Sequence, residues 1–287
     1  MGVRAVLDAP LVEISGLGQR PRSPGGGPQI LAVGDEDFTL VSAAIGSSGP
    51  LSDFRRHGLK DVLGGSGAAD TSEWEAADGD RSGRVFTLQE SPGVVHVFSP
   101  ELDRLLHVID LSVEDSDHLD WTHDPNKQAE GLVLLGNGHV LIAKEKDPPL
   151  LMEFGPRREA AHGVDSGLLL LGDEEFPLPP TERAEHILLT IWDLDSDARD
   201  RISDISDVAV GRDERLYLLS DESRCIARLE HRLAPEQRRL SVTGVWTLPT
   251  GIEQPEGLVL LDDMTPVVAI DKQEPNSNLF VLDPLKD

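Results

Sequence analysis

The sequence is poor in cysteine, in long apolar runs and in basic residues, and each shortage excludes a class of protein. Cys225 is the only cysteine among 287 residues, so no intrachain disulfide can form and a buried, unreactive thiol is expected. No run approaches the 18 to 20 or so apolar residues of a membrane-spanning helix. The N-terminal residues lack the charged and then apolar pattern of a secretory signal, which favours a cytoplasmic protein.

Basic residues are outnumbered two to one. The chain has 26 Lys and Arg against 52 Asp and Glu, which gives a formal net charge of −26. This charge opposes binding to nucleic acid and to anionic lipid surfaces. It is compatible with divalent cations, with basic protein partners, or with high solubility alone.

What the sequence does contain is an internal repeat. Glu130-Gly131-Leu132 is followed by an apolar run that ends at Lys144-Glu145, and imperfect copies of the pair begin at Ser15, Glu75, Ser206 and Glu256. Each copy has two short apolar runs with polar residues at matching ends. A repeat of this kind indicates that one small structural unit is stacked several times.

The repeat length suits a four-stranded unit, because strands of about 5 to 6 residues with short turns need roughly 40 to 50 residues. This predicts an all-β fold, a five-bladed β-propeller that forms a single domain over residues 1–287; six blades are the alternative. The approximate blades are 9–63, 72–111, 127–192, 203–248, and 253–287 together with 2–8.

The last unit runs out of chain before its fourth strand. We expect Val3 to Leu7 to supply that strand, so that the two ends of the chain pair and close the ring without an open sheet edge. In the first unit the fourth strand is expected at about His57 to Leu63.

Two sets of repeated polar residues should meet at one mouth of the central channel. In an antiparallel blade the start of the innermost strand and the end of its neighbour lie at the same end of the sheet. One set is Ser15, Glu75, Glu130, Ser206 and Glu256. The other set is Asp35, Glu90, Glu145, Asp221 and Lys272.

Carboxylates brought together in a partly dehydrated channel repel one another unless a cation, a proton or a donor compensates them. Calcium accepts six to eight oxygen ligands with loose geometry and suits residues delivered by separate blades. Zinc is disfavoured because no cysteine pair and no clear histidine spacing accompany the acids. The predicted calcium ligands are Glu75, Glu130, Ser206, Asp207 and Glu256.

Three alternatives stay open. Each Glu could instead bond to backbone amides of the next blade and fix the blade spacing without a metal. A partial match to a calcium loop runs from Asp193 to Asp204, although Ala198 replaces the usual Gly and a solvated connection is favoured. His118 and His123 precede the third unit at the same mouth, where either could act as a general base beside a metal-bound water, although a solvated loop anchored by Trp121 is favoured.

The repeat motifs resemble those of a known family. Ala129-Glu130-Gly131-Leu132, Asp204-Ile205-Ser206-Asp207-Val208 and Gln254-Pro255-Glu256-Gly257-Leu258 are similar to motifs of the SdiA-regulated, or YjiK-like, β-propellers of bacteria. The resemblance implies a five-bladed propeller, distantly similar to NHL-repeat propellers, with a channel calcium and no established reaction. Asp207 in place of Gly and Lys272 in place of an acid depart from the pattern.

Two function classes follow. The first is a non-catalytic module that binds a small molecule or a protein at the channel mouth, next to a calcium ion. The second is a calcium-dependent hydrolase of the lactonase, esterase or phosphoesterase kind that uses the mouth carboxylates. Binding is favoured, because the sequence contains no nucleophile elbow and no phosphate-binding glycine motif.

Overall fold

The structure is a computed structural model that describes residues 1–46, 51–64, 71–114, 129–172 and 174–286. It consists of short strands and two one-turn helices. Strands β1 to β5 are Val3–Leu7, Ile14–Arg20, Gln29–Gly34, Thr39–Ala44 and Ser52–Gly58. Helix α1 is Lys60–Leu63, and strands β6 to β9 are Trp74–Gly79, Val85–Gln89, Val94–Phe98 and Leu105–Ser112.

The second half of the chain has the same character. Strands β10 to β13 are Gly131–Leu134, Val140–Lys144, Leu150–Pro156 and Arg183–Leu194, and helix α2 is Ser196–Arg199. Strands β14 to β18 are Asp207–Val210, Leu216–Ser220, Cys225–Leu229, Arg239–Leu240 and Val242–Thr247. Strands β19 to β21 are Pro255–Leu260, Pro266–Ile270 and Leu279–Leu282.

The strands pair with their neighbours in the chain. Three four-stranded antiparallel sheets have the orders β2-β3-β4-β5, β14-β15-β16-β18 and β1-β21-β20-β19. The remaining sheet has nine strands, because the meanders β6-β7-β8-β9 and β10-β11-β12-β13 join through a parallel pairing of β9 with β13, and β17 pairs with β13 as well.

The first strands of these meanders form a closed circle. Strand β2 contacts β6, β6 contacts β10, and the contacts continue through β14 and β19 back to β2. The sheets therefore radiate from a central channel, as in a β-propeller. The faces of neighbouring sheets pack against one another and bury the large side chains of Trp74, Phe86, Trp192 and Tyr217.

The ring closes where expected. Strand β1 pairs antiparallel with β21, with Val6 opposite Phe280 and Leu7 opposite Leu279. Asn278 reinforces this junction, because its buried side chain accepts a hydrogen bond from the Ala9 N–H at 2.8 Å and donates to the Leu11 carbonyl at 2.8 Å. Both ends of the chain thus complete one sheet.

The fourth strand of the first sheet begins earlier than the sequence indicates. Residues 52–58 form β5 and Lys60–Leu63 forms α1, so the strand expected at about His57 to Leu63 is correct only at His57 and Gly58. Leu59 and Leu63 explain the turn. They are four residues apart, and one helical turn places both on the same buried side.

Glycine in the Glu-Gly-Leu repeat is explained by the packing of the inner strands. A Cβ atom on Gly16 would lie 2.1 Å from the carbonyl oxygen of Glu75, and one on Gly257 would lie 2.6 Å from Cγ of Leu17. Each glycine thus lets the next inner strand approach closely.

No helix in the described ranges is long and apolar enough to cross a membrane.

Candidate functional site

One end of the channel, called the acidic mouth below, is formed by the starts of the inner strands and the ends of their neighbours. Ser15, Glu75 and Glu256 occupy equivalent positions, because the register of β2, β6 and β19 shifts at each of these residues. Such bulges re-aim side chains and occur next to functional sites. The repeated motif therefore encodes a repeated backbone distortion.

The residue two positions before each bulge has the same unusual backbone. Glu13, Glu73 and Gln254 have φ values of 47°, 46° and 49°, in the left-handed region that non-glycine residues rarely adopt. In the second unit this backbone is tied to the preceding sheet, because the Glu73 N–H donates to the Asp35 carbonyl. The chain thus enters at least three inner strands by one shared conformation.

The structure brings Glu75, Glu130 and Glu256 together. Glu130 is 8% exposed, while Glu75 and Glu256 are partly exposed. Burial raises the pKa of Glu130 well above its usual value, and a further rise comes from the negative charges of Glu75, Glu90, Glu256 and Glu145. The pKa values of Glu75 and Glu256 are raised in the same way, first by burial and then by neighbouring carboxylates.

The second set surrounds the first. Glu90 is buried, and burial raises the pKa values of Asp35, Glu145 and Asp221. Glu145 has a cationic partner, because Lys146 Nζ lies 2.6 Å from its Oε1 atom. These residues share the position directly after the second strand of each sheet, and they add negative charge around the inner three.

The structure corrects the alignment of the last repeat. Asp271, rather than Lys272, directly follows β20, as Asp35 directly follows β3. Asp271 raises the pKa of Glu256, and the pKa of Asp271 itself is raised by burial and by Asp35. Lys272 Nζ donates instead to the carbonyl and the side chain of Asn276, at 3.0 and 2.9 Å. The last unit thus contributes an acid to the mouth.

Ser206 and Asp207 have different partners from the three Glu residues. The Ser206 hydroxyl lies 3.3 Å from Oδ2 of Asp204, and it accepts the Asp221 N–H at 3.2 Å. Asp207 is buried, and its two oxygens accept the N–H groups of Val208 and Leu258, both at 2.7 Å. Because Leu258 lies on the next inner strand, Asp207 fixes the spacing of two sheets.

Asp78 has a related place on the second inner strand. Its carboxylate accepts the Gly79 N–H at 2.8 Å and a backbone hydrogen bond from Leu134 of the next inner strand. Burial raises the pKa of Asp78 to about 7. Bonds from a carboxylate to the next blade are the alternative that the sequence leaves open for the Glu positions. The structure forms such bonds with two aspartates, Asp207 and Asp78.

Asp204 is the mouth residue that the sequence assigns elsewhere, as the last position of the partial calcium loop. It is 1% exposed, and it accepts hydrogen bonds from the Ser220 hydroxyl and from the Asp221 and Glu222 N–H groups. The first acids of that loop point elsewhere. Asp193 pairs with Arg199 and Arg239, and Asp195 caps α2 through the Ala198 N–H at 2.8 Å.

His118 and His123 lie outside the described residues. Among the residues that the structure does describe, no three mouth carboxylates bring ligand atoms within 4.8 Å of one another. The donor set nonetheless fits a hard cation, because several like-charged oxygens share a semi-buried space that raises their pKa values.

The other end of the channel is different. A cavity of about 320 Å³ lies between the later halves of the inner strands, lined by apolar residues such as Leu17 and Val133 and by polar ones such as Asp78. The insertion between β12 and β13 reaches this end, where the Leu171 carbonyl accepts from Arg212 at 3.3 Å. None of the described acidic-mouth residues lines this cavity.

Solved structures with similar folds include several enzymes. Glutaminyl cyclase from Myxococcus xanthus matches with a TM-score of 0.55 at 12% identity, covering 100% of this chain and 97% of the cyclase. A streptogramin B lyase matches with a TM-score of 0.48 at 11% identity, covering 97% of this chain and 95% of the lyase. At these identities the likeness concerns the fold alone.

A further structure belongs to a protein of unknown function from Desulfotomaculum acetoxidans, with a TM-score of 0.40 at 12% identity. The match covers 84% of this chain, which spans only 59% of that protein's length.

No curated protein sequence matches this chain. The sequence pattern of one family does, over residues 70–281, and its description is SdiA-regulated. The matched stretch contains the repeats that begin at Glu75, Glu130, Ser206 and Glu256. Because it spans well over half of the 287 residues, this chain belongs to the SdiA-regulated family.

Proposed function

We propose that this protein is a non-catalytic binding propeller that holds a calcium ion at the acidic mouth and recognises its ligand there. The observation that supports the proposal is the convergence of Glu75, Glu130 and Glu256, whose pKa values are raised by burial and by neighbouring carboxylates of the mouth. Such a cluster disfavours its own ionised form, and a divalent cation removes that cost.

The inner set would hold the ion. The carboxylates of Glu75, Glu130 and Glu256 would supply oxygens, and those of the surrounding set would supply more, either directly or through water. Calcium, when bound, would supply positive charge to orient an anionic or carbonyl-bearing ligand. Asp207 is the weakest of the expected ligands, because backbone N–H groups already occupy both of its oxygens.

A five-bladed architecture is part of the same proposal. The nine-stranded sheet counts as two blades joined along β9 and β13, and each of the three four-stranded sheets counts as one. The circle of inner strands β2, β6, β10, β14 and β19 supports this count. Five blades would bring five inner-strand starts to one opening.

A binding role is favoured over catalysis for a structural reason. The described mouth residues are carboxylates and hydroxyls held by the backbone at strand ends, and rigid strands with varied loops suit recognition. The net charge of −26 favours a ligand or protein that is basic, or one that reaches the carboxylates through the cation.

Calorimetric titration of chelator-treated protein with Ca²⁺ tests the proposal. We expect about one strongly bound ion per chain, and we expect Glu130→Gln or Glu256→Gln to weaken its binding by about tenfold or more, since each removes a charged donor. Glu236→Gln is the matched control, because Glu236 is exposed on a distant loop. Equal binding by all four proteins would remove the mouth as the calcium site.

One observation favours a second candidate, a calcium-dependent hydrolase. A carboxyl group with a raised pKa, such as that of Glu130, can take up or release a proton closer to neutral pH, as general acid–base catalysis requires. Hydrolysis of aryl esters, lactones and phosphoesters should be measured with Ca²⁺ and with chelator. Turnover that disappears with chelator and in Glu130→Gln would establish this candidate in place of the binding module.

A further inference from the structure

A histidine and carboxylate cluster lies at the opposite end of the third meander from the acidic mouth. His139 directly precedes β11, and Glu159 and His162 belong to the insertion that follows β12. Ligand atoms of these three residues all lie within 4.8 Å of one another. We propose that they form a binding site for a divalent transition-metal ion, with zinc as the foremost candidate.

The donor set fits zinc better than calcium. Two imidazoles and one carboxylate are the ligands of several zinc sites, whereas calcium takes oxygen donors. Bonds of about 2.0 to 2.2 Å in a tetrahedron separate the ligand atoms by roughly 3.3 Å. His139 Nε2 and Glu159 Oε2 are already 3.0 Å apart, so closure around an ion needs only a small adjustment of two exposed side chains.

Glu153 positions the site. It is fully buried, and its Oε1 atom lies 2.7 Å from His139 Nδ1. A carboxylate on one imidazole nitrogen fixes the ring and its tautomer and leaves the other nitrogen for a metal, the arrangement that supports most histidine ligands. Here that other nitrogen is Nε2, which points toward Glu159.

The same carboxylate fixes the loop that carries the other histidine. Glu153 Oε1 accepts the His162 N–H and its Oε2 accepts the Gly163 N–H, both at 2.9 Å. The rings of His139 and His162 meet edge to face, with centroids 5.3 Å apart. One buried residue thus orients two of the three ligands.

The space around His139 Nε2 and the solvent exposure of the cluster are also compatible with a bound ion. A Cβ atom on Gly155 would lie 2.7 Å from His139 Nε2, so the absence of a side chain there leaves room at the ligating nitrogen. Glu159 and His162 are exposed, which opens the site to solvent. Three protein ligands would leave one tetrahedral position for water.

The test is competition for Zn²⁺ between the full chain and a chromophoric chelator, in an excess of Ca²⁺ that saturates the oxygen donors of the mouth. We expect one Zn²⁺ per chain, with binding weakened by at least about tenfold in His162→Ala and Glu159→Gln. His231→Ala replaces another exposed histidine and should bind as the unaltered chain does. Glu130→Gln should also bind normally, which separates this site from the acidic mouth.

Cobalt gives an independent readout. Co²⁺ bound in place of Zn²⁺ should show the visible absorption of a four-coordinate ion with nitrogen ligands, and His162→Ala should lose it. Because His162 is exposed, this variant should unfold at the same temperature as the unaltered apo chain, which excludes a folding defect. Equal Zn²⁺ affinity in His162→Ala and the unaltered chain, or no binding by either, would overturn the proposal.

Discussion

The carboxylates of the inner strands have two different environments. Asp207 and Asp78, deeper in the channel, accept N–H groups of their own strand and of the next inner strand. Glu75, Glu130 and Glu256 lie at the mouth, where burial and then neighbouring carboxylates raise their pKa values. The backbone donors around Asp207 and Asp78 favour the ionised carboxylates against the cost of burial, whereas the neighbouring carboxylates of Glu130 and Glu256 add to that cost.

This difference separates structure from function. A carboxylate whose oxygens already accept two N–H groups is a poor ligand, whereas carboxylates that repel one another are stabilised when a cation binds. Substitutions at the two depths should therefore change the stability of the metal-free protein in opposite directions.

The largest effect is expected at Asp207. Asp207→Ala removes the acceptor of two buried N–H groups, at Val208 and Leu258, and should lower the free energy of unfolding by about 2 to 4 kcal/mol. Denaturant unfolding followed by circular dichroism measures it. Asp262→Ala, at an exposed position in the turn after β19, should change stability little. Equal losses in both variants would contradict the role of Asp207 in linking two sheets.

A smaller effect of opposite sign is expected at Glu130. Glu130→Gln keeps the shape of a buried side chain and removes a charge that its neighbours oppose, so the metal-free protein should become more stable, by an amount on the order of 1 kcal/mol. The same unfolding experiment, with chelator present, measures the gain. Glu236→Gln is the control, and a loss of stability in Glu130→Gln would show that the mouth is held together by Glu130 without a cation.

The pH dependence of stability should be the smallest and broadest effect. A carboxyl group whose pKa is raised by folding holds a proton that the unfolded chain releases, so its contribution to stability falls as pH rises between the two pKa values. For Asp78 that window runs from 3.8 to about 7. The metal-free protein should therefore melt at lower temperature at pH 8 than at pH 6.

Histidines with lowered pKa values act against this trend. Burial lowers the pKa of His96 to about 4, which makes its contribution rise with pH between that value and 6.5. Comparison of the unaltered chain with Glu130→Gln isolates the contribution of Glu130 to the pH dependence of stability. From pH 6 to pH 8 the variant should lose less stability than the unaltered chain, and Ca²⁺ should remove most of that difference. Parallel stability curves would mean that Glu130 is ionised in both the folded and the unfolded state.

The sequence predicts the gross plan well because the repeat is local. The apolar runs fix strands, the polar residues at their ends mark one mouth, and the pairing of Val3–Leu7 with Leu279–Leu282 follows from a missing strand. The repeat aligns Lys272 rather than Asp271 with the acids, because a one-residue shift is invisible in an imperfect repeat. Strand pairing places Ile270 opposite Pro255 and so aligns Asp271 with the acids.

Other features depend on contacts that no local pattern encodes. The link that Asp207 makes between two sheets requires the Leu258 N–H, which belongs to a strand far along the chain. The cluster of His139, Glu159 and His162 exists only because the irregular insertion folds back on the start of β11 and is tied there by Glu153. A recurring Glu in a motif could be recognised, but a single histidine before an apolar run carries no such signal.

The junction between β1 and β21 sets an order of events during synthesis. A ribosome produces Val3–Leu7 long before Leu279–Leu282, so the earliest strand has no partner until nearly all later sheets have been made. The sheets between these two strands can form one after another as they emerge, and the pairing of β1 with β21 comes last. A nascent chain arrested before residue 279 should therefore present an incomplete ring with a loose leading segment.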